Sequence, residues 1–522
     1  MVLRPPNNQG SKYLSTRPKQ SKSMLDTMFT ASRIFDVLHT FQGRIKAERI
    51  AHENQSNIEQ GVISGKLENA RLGTYEDALE KGLIRPFSEG GIYLGMLNGQ
   101  PMVTNKDWHI TCVAMAGAGK TSSICIPNII TLGLGEKRES TFIFDVKGEL
   151  HEATAHVRAR LDGKPVVVID DFGLTEQEGV SINFLDDLVA KAAQGKPISE
   201  DVASKLALQF GDPKDHGSNA WIVESAIEWN TAYMCHTAEL EPENCSPVGM
   251  ADFSMLTQSE MSALFQILRQ SPASDGLVRE IAKNWLEEFS EPREQFQWIR
   301  GQLQNAWSLY RSGAILRSKR SHTSFDITTA SREVTTIYYR FPANKIRSHS
   351  RDAIALLDYL LEQLVEADGN VRTTIMADEF SNFPKALSMI VALRLYRSEG
   401  IRLFVFSQDE NGFAKYKDDG GFALFKENSI GIYFGVDGRI AKDLSEKAGN
   451  KSVLIATNSA NAGITNTGGL GSQETTTPVL PVSDIAQNFE GQAYIDMRDR
   501  IYLVDRPAWW EIPEFKTLIE EK

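Results

Sequence analysis

The apolar residues of this chain are unevenly patterned. Between Ile92 and Phe172 they gather in short runs, IYLGML, HITCVAM, STFIFDV and VVVIDDF, and helix-compatible stretches follow the second and third of these. Runs of that length read as strands, and strands alternating with helices predict a parallel sheet joined by right-handed crossovers. IYLGMLNGQPMV adds a hairpin turning at Asn98-Gly99. From about Leu185 to Leu316 strand-like runs vanish and helical periodicity takes over. TQSEMSALFQIL, for example, opens with a capping box at Thr257 and Glu260 and sets Met261, Leu264, Phe265 and Leu268 on one stripe. Strands return in EVTTIYYRFP (Glu333 to Pro342), TTIMADEF (Thr373 to Phe380), IRLFVFSQ (Ile401 to Gln408) and SIGIYFGV, with QAYIDM and RIYLVD near the end. Ala456 to Pro478 has almost no large apolar residue and predicts a mobile loop. The pattern as a whole predicts an α/β fold interrupted by a helical insertion.

One junction carries recognisable chemistry. The strand from His109 runs into AMAGAGKTSS, Ala114 to Ser123, and then into a helix. Strand, glycine-rich loop and helix is the order of a phosphate-binding loop, whose backbone N–H groups wrap the phosphates. Ala116, Gly117, Ala118, Gly119, Lys120, Thr121 and Ser122 would form the cradle, Lys120 reaching the β- and γ-phosphates and the Thr121 hydroxyl holding Mg²⁺. Ala114 stands where the consensus has its first glycine, and it fits there if the backbone stays extended.

Two further strand ends complete the constellation. TTIMADEF closes on adjacent carboxylates: Asp378 would support the metal, and Glu379 would orient and deprotonate the attacking water. IRLFVFSQ ends at Gln408, either a strand-end cap or a sensor of the γ-phosphate if its strand neighbours that of Asp378. Arg394 and Arg397, just before that strand, either pair within their own subunit or reach a neighbour's γ-phosphate. The second option implies a ring.

Composition narrows the class. The chain has 522 residues, 41% hydrophobic and 24% charged, enough for about three units of a soluble globular protein. A net charge of −12 excludes a global basic field for nucleic acid, so any DNA contact must be local. Arg311, Arg317, Lys319 and Arg320 form the clearest basic cluster and read as a solvated helix face; Arg340, Lys345, Arg347 and Arg351 form another. Five of the eight tryptophans fall in the helical insertion and read as its core. The four cysteines have neither zinc nor disulfide spacing, as expected for a reducing cytoplasm. The stretch from Met24 is interrupted by Asp26, Arg33, Asp36 and His39, so it reads not as a membrane span but as an amphipathic helix following a mobile tail, with either a packing or partner-binding face or an interfacial anchor.

NARLGT from Asn69, His109, the loop followed by IPNII, DVKGEL, the Asp-Glu strand, Gln408, SIGIYFGVDGRIAKDLSEKAG and LPVSDIAQ occur together and in order. In these motifs, from Asn69 to about Phe515, the chain resembles the type IV secretion coupling proteins, ring-forming ATPases that bring DNA–relaxase complexes or effector proteins to a secretion channel. The resemblance implies a RecA-like P-loop NTPase domain with an inserted all-α domain. It implies ATP and Mg²⁺ as ligands, Lys120 and Thr121 on phosphate and metal, Asp378 supporting the metal, Glu379 as catalytic carboxylate, Gln408 as sensor and Arg397 as arginine finger. Alanine or another small residue is common in the family at the position of Ala114. The expected division is 1–70, a tail and docking helix; 71–184 and 325–522, the nucleotide-binding domain; and 185–324, the all-α domain, which in the family faces the cytoplasm and helps receive substrates.

Expected partners are single- or double-stranded DNA with its relaxase, or effector proteins, together with channel components and further copies in a homo-hexamer. Typical members begin with membrane-spanning helices. Here the expectation is a cytoplasmic protein peripheral to the bacterial inner membrane, its anchor either removed or replaced by a separate anchor protein. Two alternatives accompany this reading: a non-hydrolysing receptor that keeps the nucleotide fold as a scaffold, and a cytoplasmic DNA translocase unrelated to secretion.

Overall fold

A computed structural model describes residues 69–521, apart from 289–292, 341, 384, 437, 460–468 and 488–490. The N-terminal tail and the Met24 helix lie outside the described residues. The strands in chain order are β1 Ile92–Leu97, β2 Gln100–Thr104, β3 His109–Ala114, β4 Ser140–Asp145, β5 Val167–Asp170, β6 Thr336–Arg340, β7 Thr373–Ala377, β8 Ile401–Ser407, β9 Ser429–Phe434, β10 Asn450–Ser459, β11 Gly469–Pro478, β12 Gln492–Asp496 and β13 Ile501–Asp505.

The chain packs as two units. The larger, residues 72–448 and 480–522, holds an 11-stranded sheet in the order β2-β1-β13-β12-β9-β3-β8-β7-β4-β6-β5. From β9 to β5 the strands run parallel; β12, β13, β1 and β2 continue the sheet antiparallel. Every residue of β3, β4, β7, β8 and β9 is buried, as in a parallel sheet covered by helices on both faces. The hairpin falls where its turn chemistry places it: Asn98 and Gly99 take φ +52° and +73°, the positive pair that a two-residue connection needs.

Between β5 and β6 the regular elements are helical, from Asp186–Ala193 to Thr329–Arg332. The capping box at Thr257 and Glu260 forms, and Met261, Phe265 and Leu268 are buried. Trp229 centres this region, with ring centroids 5.4 Å from Trp285 and 6.0 Å from Phe296, and Trp307 donates its indole N–H to Asn230 at 2.6 Å. These three tryptophans are core, as the sequence suggests. Trp298 instead lies half exposed against Trp221.

Two expectations fail. The stretch from Ala456 to Pro478 is largely a ribbon: β10 and β11 pair antiparallel from Asn450 with Pro478 to Ser459 with Gly469, in the smaller unit. Its threonines and β-branched residues favour extended backbone without an apolar core, and composition read as mobility missed that preference. The basic cluster is not a solvated face either. Arg320 is wholly buried, Arg317 pairs with Asp252 at 2.9 Å, and Lys319 donates to the carbonyl of Gly179. No helix among the described residues is long and apolar enough to cross a membrane.

Candidate functional site

β3 delivers the loop. Ala114 is its last residue, extended and paired with Phe434, with its methyl in the core. The backbone therefore makes no demand there that only glycine could meet. That demand falls later, at Gly117 and Gly119, which take φ +76° and +89°. A side chain at Gly119 would also come 3.3 Å from a guanidinium nitrogen of Arg506. The loop leads into a π-turn, Thr121–Cys125, before the helix Ile126–Thr131; π-turns inside helices are frequent at functional sites. Lys120 is folded back, donating to the carbonyls of Ala114 at 2.6 Å and Met115 at 3.3 Å.

β8 lies between β3 and β7, so the carboxyl ends of all three strands meet at one edge of the sheet. Ligands of open parallel sheets bind at this edge. A cleft of about 470 Å³ opens there, walled by the loop residues Ala116, Gly117, Gly119, Lys120, Thr121 and Ser122 and facing Asp378, Glu379 and Gln408. Ala118, the remaining loop residue, packs against the core. A pocket of this size accommodates a nucleotide.

The Glu379 carboxylate is held from two sides. One oxygen is 3.3 Å from Lys147 Nζ; the other accepts from Gln408 Nε2 at 2.9 Å. Its backbone is left-handed, φ +56° and ψ +36°, a conformation costing a non-glycine residue about 1–3 kcal/mol and concentrated at functional sites. Asp378 beside it is buried. That burial and the neighbouring Glu379 carboxylate raise its pKa to about 6, although Lys147 and Lys120 pull the other way. Asp145, buried at the end of β4, accepts the backbone N–H groups of Gly148 and His151 at 2.8 Å each and so shapes the turn that presents Lys147. Burial pulls the Lys147 pKa down, but Glu379 outweighs it and leaves the ammonium above its ordinary value. Buried acids crowded beside a glycine cradle would suit a divalent cation, which would supply neutralisation of phosphate charge when bound. Thr121 and Asp378 are the side chains that would hold it.

Arg397 is absent from this cleft. It precedes β8, at the amino ends of the strands, where its guanidinium lies 5.4 Å from the Trp108 ring centroid. Seven residues of β8 separate it from Gln408, about 20 Å of extended chain. Four residues escape the sequence reading. Lys147 was visible in DVKGEL without a role. Trp509 and Trp510 also line the cleft, their rings 5.5 Å apart at 81°; the signal for them in the sequence is the doubled tryptophan after the last strand. Arg506 stacks on Phe434 at 4.1 Å beneath the loop.

Comparison with known proteins adds the lineage. A family model described as "Type IV secretory system Conjugative DNA transfer" matches residues 48–477. The type IV secretion system-coupling protein VirD4 of Bartonella henselae is 21% identical over 368 residues, which cover 69% of this chain and 56% of that protein. The chain thus spans little more than half the length of that relative. Among solved structures, the bacterial conjugative coupling protein TrwBdeltaN70 in its unbound form superposes with a TM-score of 0.56 at 14% identity, covering 84% of this chain and 92% of that one. The plasmid coupling protein TrwB in complex with ADP and Mg²⁺ superposes with a TM-score of 0.58 at 12% identity, over 84% and 93%. These likenesses show a shared fold, a RecA-like NTPase sheet with an all-α insertion. Because the family match runs from before β1 through the helical insertion to β11, the chain belongs to the conjugative DNA transfer family of type IV secretion, the coupling proteins.

Proposed function

We propose that the chain is an ATPase of a type IV secretion or conjugation machine, binding ATP and Mg²⁺ in the cleft and using hydrolysis to pass DNA–relaxase complexes or protein substrates to the channel. The observation that carries this reading is the Glu379 carboxylate, fixed between Lys147 and Gln408 opposite the glycine cradle. In that position it takes a proton from the attacking water while Lys120 and the loop N–H groups balance phosphate charge. Gln408, bonded to the same carboxylate, shifts partner when the γ-phosphate leaves. Residues 185–324 act as the all-α receiving domain. The protein works at the inner membrane from the cytoplasmic side. A steady-state phosphate-release assay, with and without single-stranded DNA, tests the core claim. Turnover requiring Mg²⁺ is expected; none under any assembly condition would leave only a nucleotide-bound receptor.

Arg397 lies too far from its own cleft to act there, so its role as a finger requires a neighbouring copy in a ring, for which a hexamer is proposed. Arg397→Ala and Lys120→Ala subunits are each expected to be inactive alone and to regain part of the turnover when mixed, since some interfaces then pair an intact cleft with an intact arginine. Co-assembled mixtures without activity would remove the finger.

Trp509 and Trp510 give the nucleobase an aromatic surface. Trp510→Ala should weaken nucleotide binding by the ~1–3 kcal/mol typical of a stacked base, roughly 5- to 150-fold, and lose part of the fluorescence quenching that accompanies binding. Unchanged affinity in a fluorescence titration would place the base elsewhere.

A further inference from the structure

Behind the cleft, Glu379 is continued by one 3-10 turn, Phe380–Asn382. The carbonyls of Phe380 and Phe383 both accept from a single side chain, Lys415, whose Nζ lies 2.7 and 2.6 Å away. The same ammonium sits 4.1 Å from the Phe380 ring centroid and 5.8 Å from that of Tyr416. Lys415 belongs to Glu410–Asp419, the segment that directly follows Gln408 and Asp409. The chain leaving β8 therefore reaches the Glu379 carboxylate through Gln408, and the turn that follows Glu379 through Lys415.

Other contacts stitch these two strand ends together. Ser381 and Ser407 share a hydroxyl hydrogen bond of 2.8 Å, and a Cβ on Gly412 would collide with both hydroxyls. Tyr416 accepts the Ala386 N–H at 3.2 Å and stacks parallel to Phe380. In this setting a lysine is an expensive choice. Burial lowers its pKa to about 8, and carbonyls and rings compensate it where a carboxylate ordinarily would. An apolar side chain would take this donor away from both carbonyls, so the ammonium is what ties the turn after Glu379 to the segment after β8.

We propose that Lys415 is a positioning residue for hydrolysis, clamping the Glu379 turn to the Gln408 strand so that the carboxylate stays aimed at the attacking water. This rests on the reading of Glu379 as the water-activating group. The test is ATP turnover by the full chain carrying Lys415→Met, Lys415→Arg, Glu379→Gln, or Lys415→Met with Glu379→Gln. Lys415→Met should lower kcat roughly 10- to 100-fold, as misplacement of a catalytic group by about an ångström does, with KM for ATP little changed because Lys415 does not line the cleft. Lys415→Arg, which keeps charge and donors, should recover part of kcat. In the Glu379→Gln background, Lys415→Met should add almost nothing.

A folded Lys415→Met enzyme with parental kcat, beside an impaired Glu379→Gln, overturns the clamp alone. So does an equal loss of kcat in both backgrounds, the mark of a general structural role. Parental turnover in Glu379→Gln overturns the role of Glu379 itself, and the clamp with it. Should Lys415→Met fail to fold, Lys415→Gln, with a shorter neutral amide, reads the same kcat-against-KM split.

Discussion

Glu379→Gln is expected to bind nucleotide as the parent does and to turn it over at least ~100-fold more slowly, the lower bound for losing a positioned acid–base group. The amide matches the carboxylate in shape and still meets Gln408, so the cleft remains open to the phosphates. It cannot accept a proton, and it releases Lys147 from its ion pair. The Lys147 pKa should then fall back, because the Glu379 charge that offsets its burial is gone. Nucleotide titration and phosphate release on one preparation separate the two effects. Full turnover by the variant would remove Glu379 from the chemistry.

Arg320→Met should carry the largest stability cost, about 3–5 kcal/mol, the range for breaking a buried ion pair from one side. Arg320 donates to Asp352 at 2.9 and 2.7 Å and to Asp171 at 2.5 Å, and Tyr310 and Tyr339 each donate to Asp352 at 2.9 Å. The three charged side chains are at most 1% exposed. The methionine would leave two carboxylates in the interior with only tyrosine hydroxyls to serve them. Set against a usual total of about 5–15 kcal/mol, that loss should appear as a clear fall in the denaturant midpoint. Burial already raises the Asp171 pKa to about 6 with Arg320 opposing it, and without the arginine it rises further. An acid whose folded pKa lies above its unfolded value destabilises the fold as pH climbs through that interval. The deficit should therefore be smaller at pH 5 than at pH 8. A deficit independent of pH would mean that the carboxylates find other partners.

Much of this was legible in the chain itself, for local reasons. Gly117 and Gly119 announce positive φ, Asn98-Gly99 announces a tight hairpin, and the runs at His109, Thr373 and Ile401 announce strands long enough to be buried. In each case the requirement is met within a few residues, so the residue type suffices to read it. The same local habit misread the threonine-rich ribbon before Pro478, where β-propensity acts without hydrophobicity. It also misreads Arg320, which stands between the exposed Ser318 and Ser321 while its partners Asp171 and Asp352 lie far along the chain.

Charge, reach and burial were settled only by the order in which strands cross. That β8 falls between β3 and β7 brings Lys120, Glu379 and Gln408 to one cleft and sends Arg397 to the opposite edge. It also puts Lys415 behind Glu379, while the pairing of β4 with β7 puts Lys147 before it. The pKa near 8 at Lys415 has no counterpart in its sequence neighbourhood, and the pKa near 6 at Asp378 owes more to burial than to its neighbour Glu379. Backbone preference is a property of adjacent residues, whereas desolvation and Coulomb energy depend on distances that the packed chain alone creates.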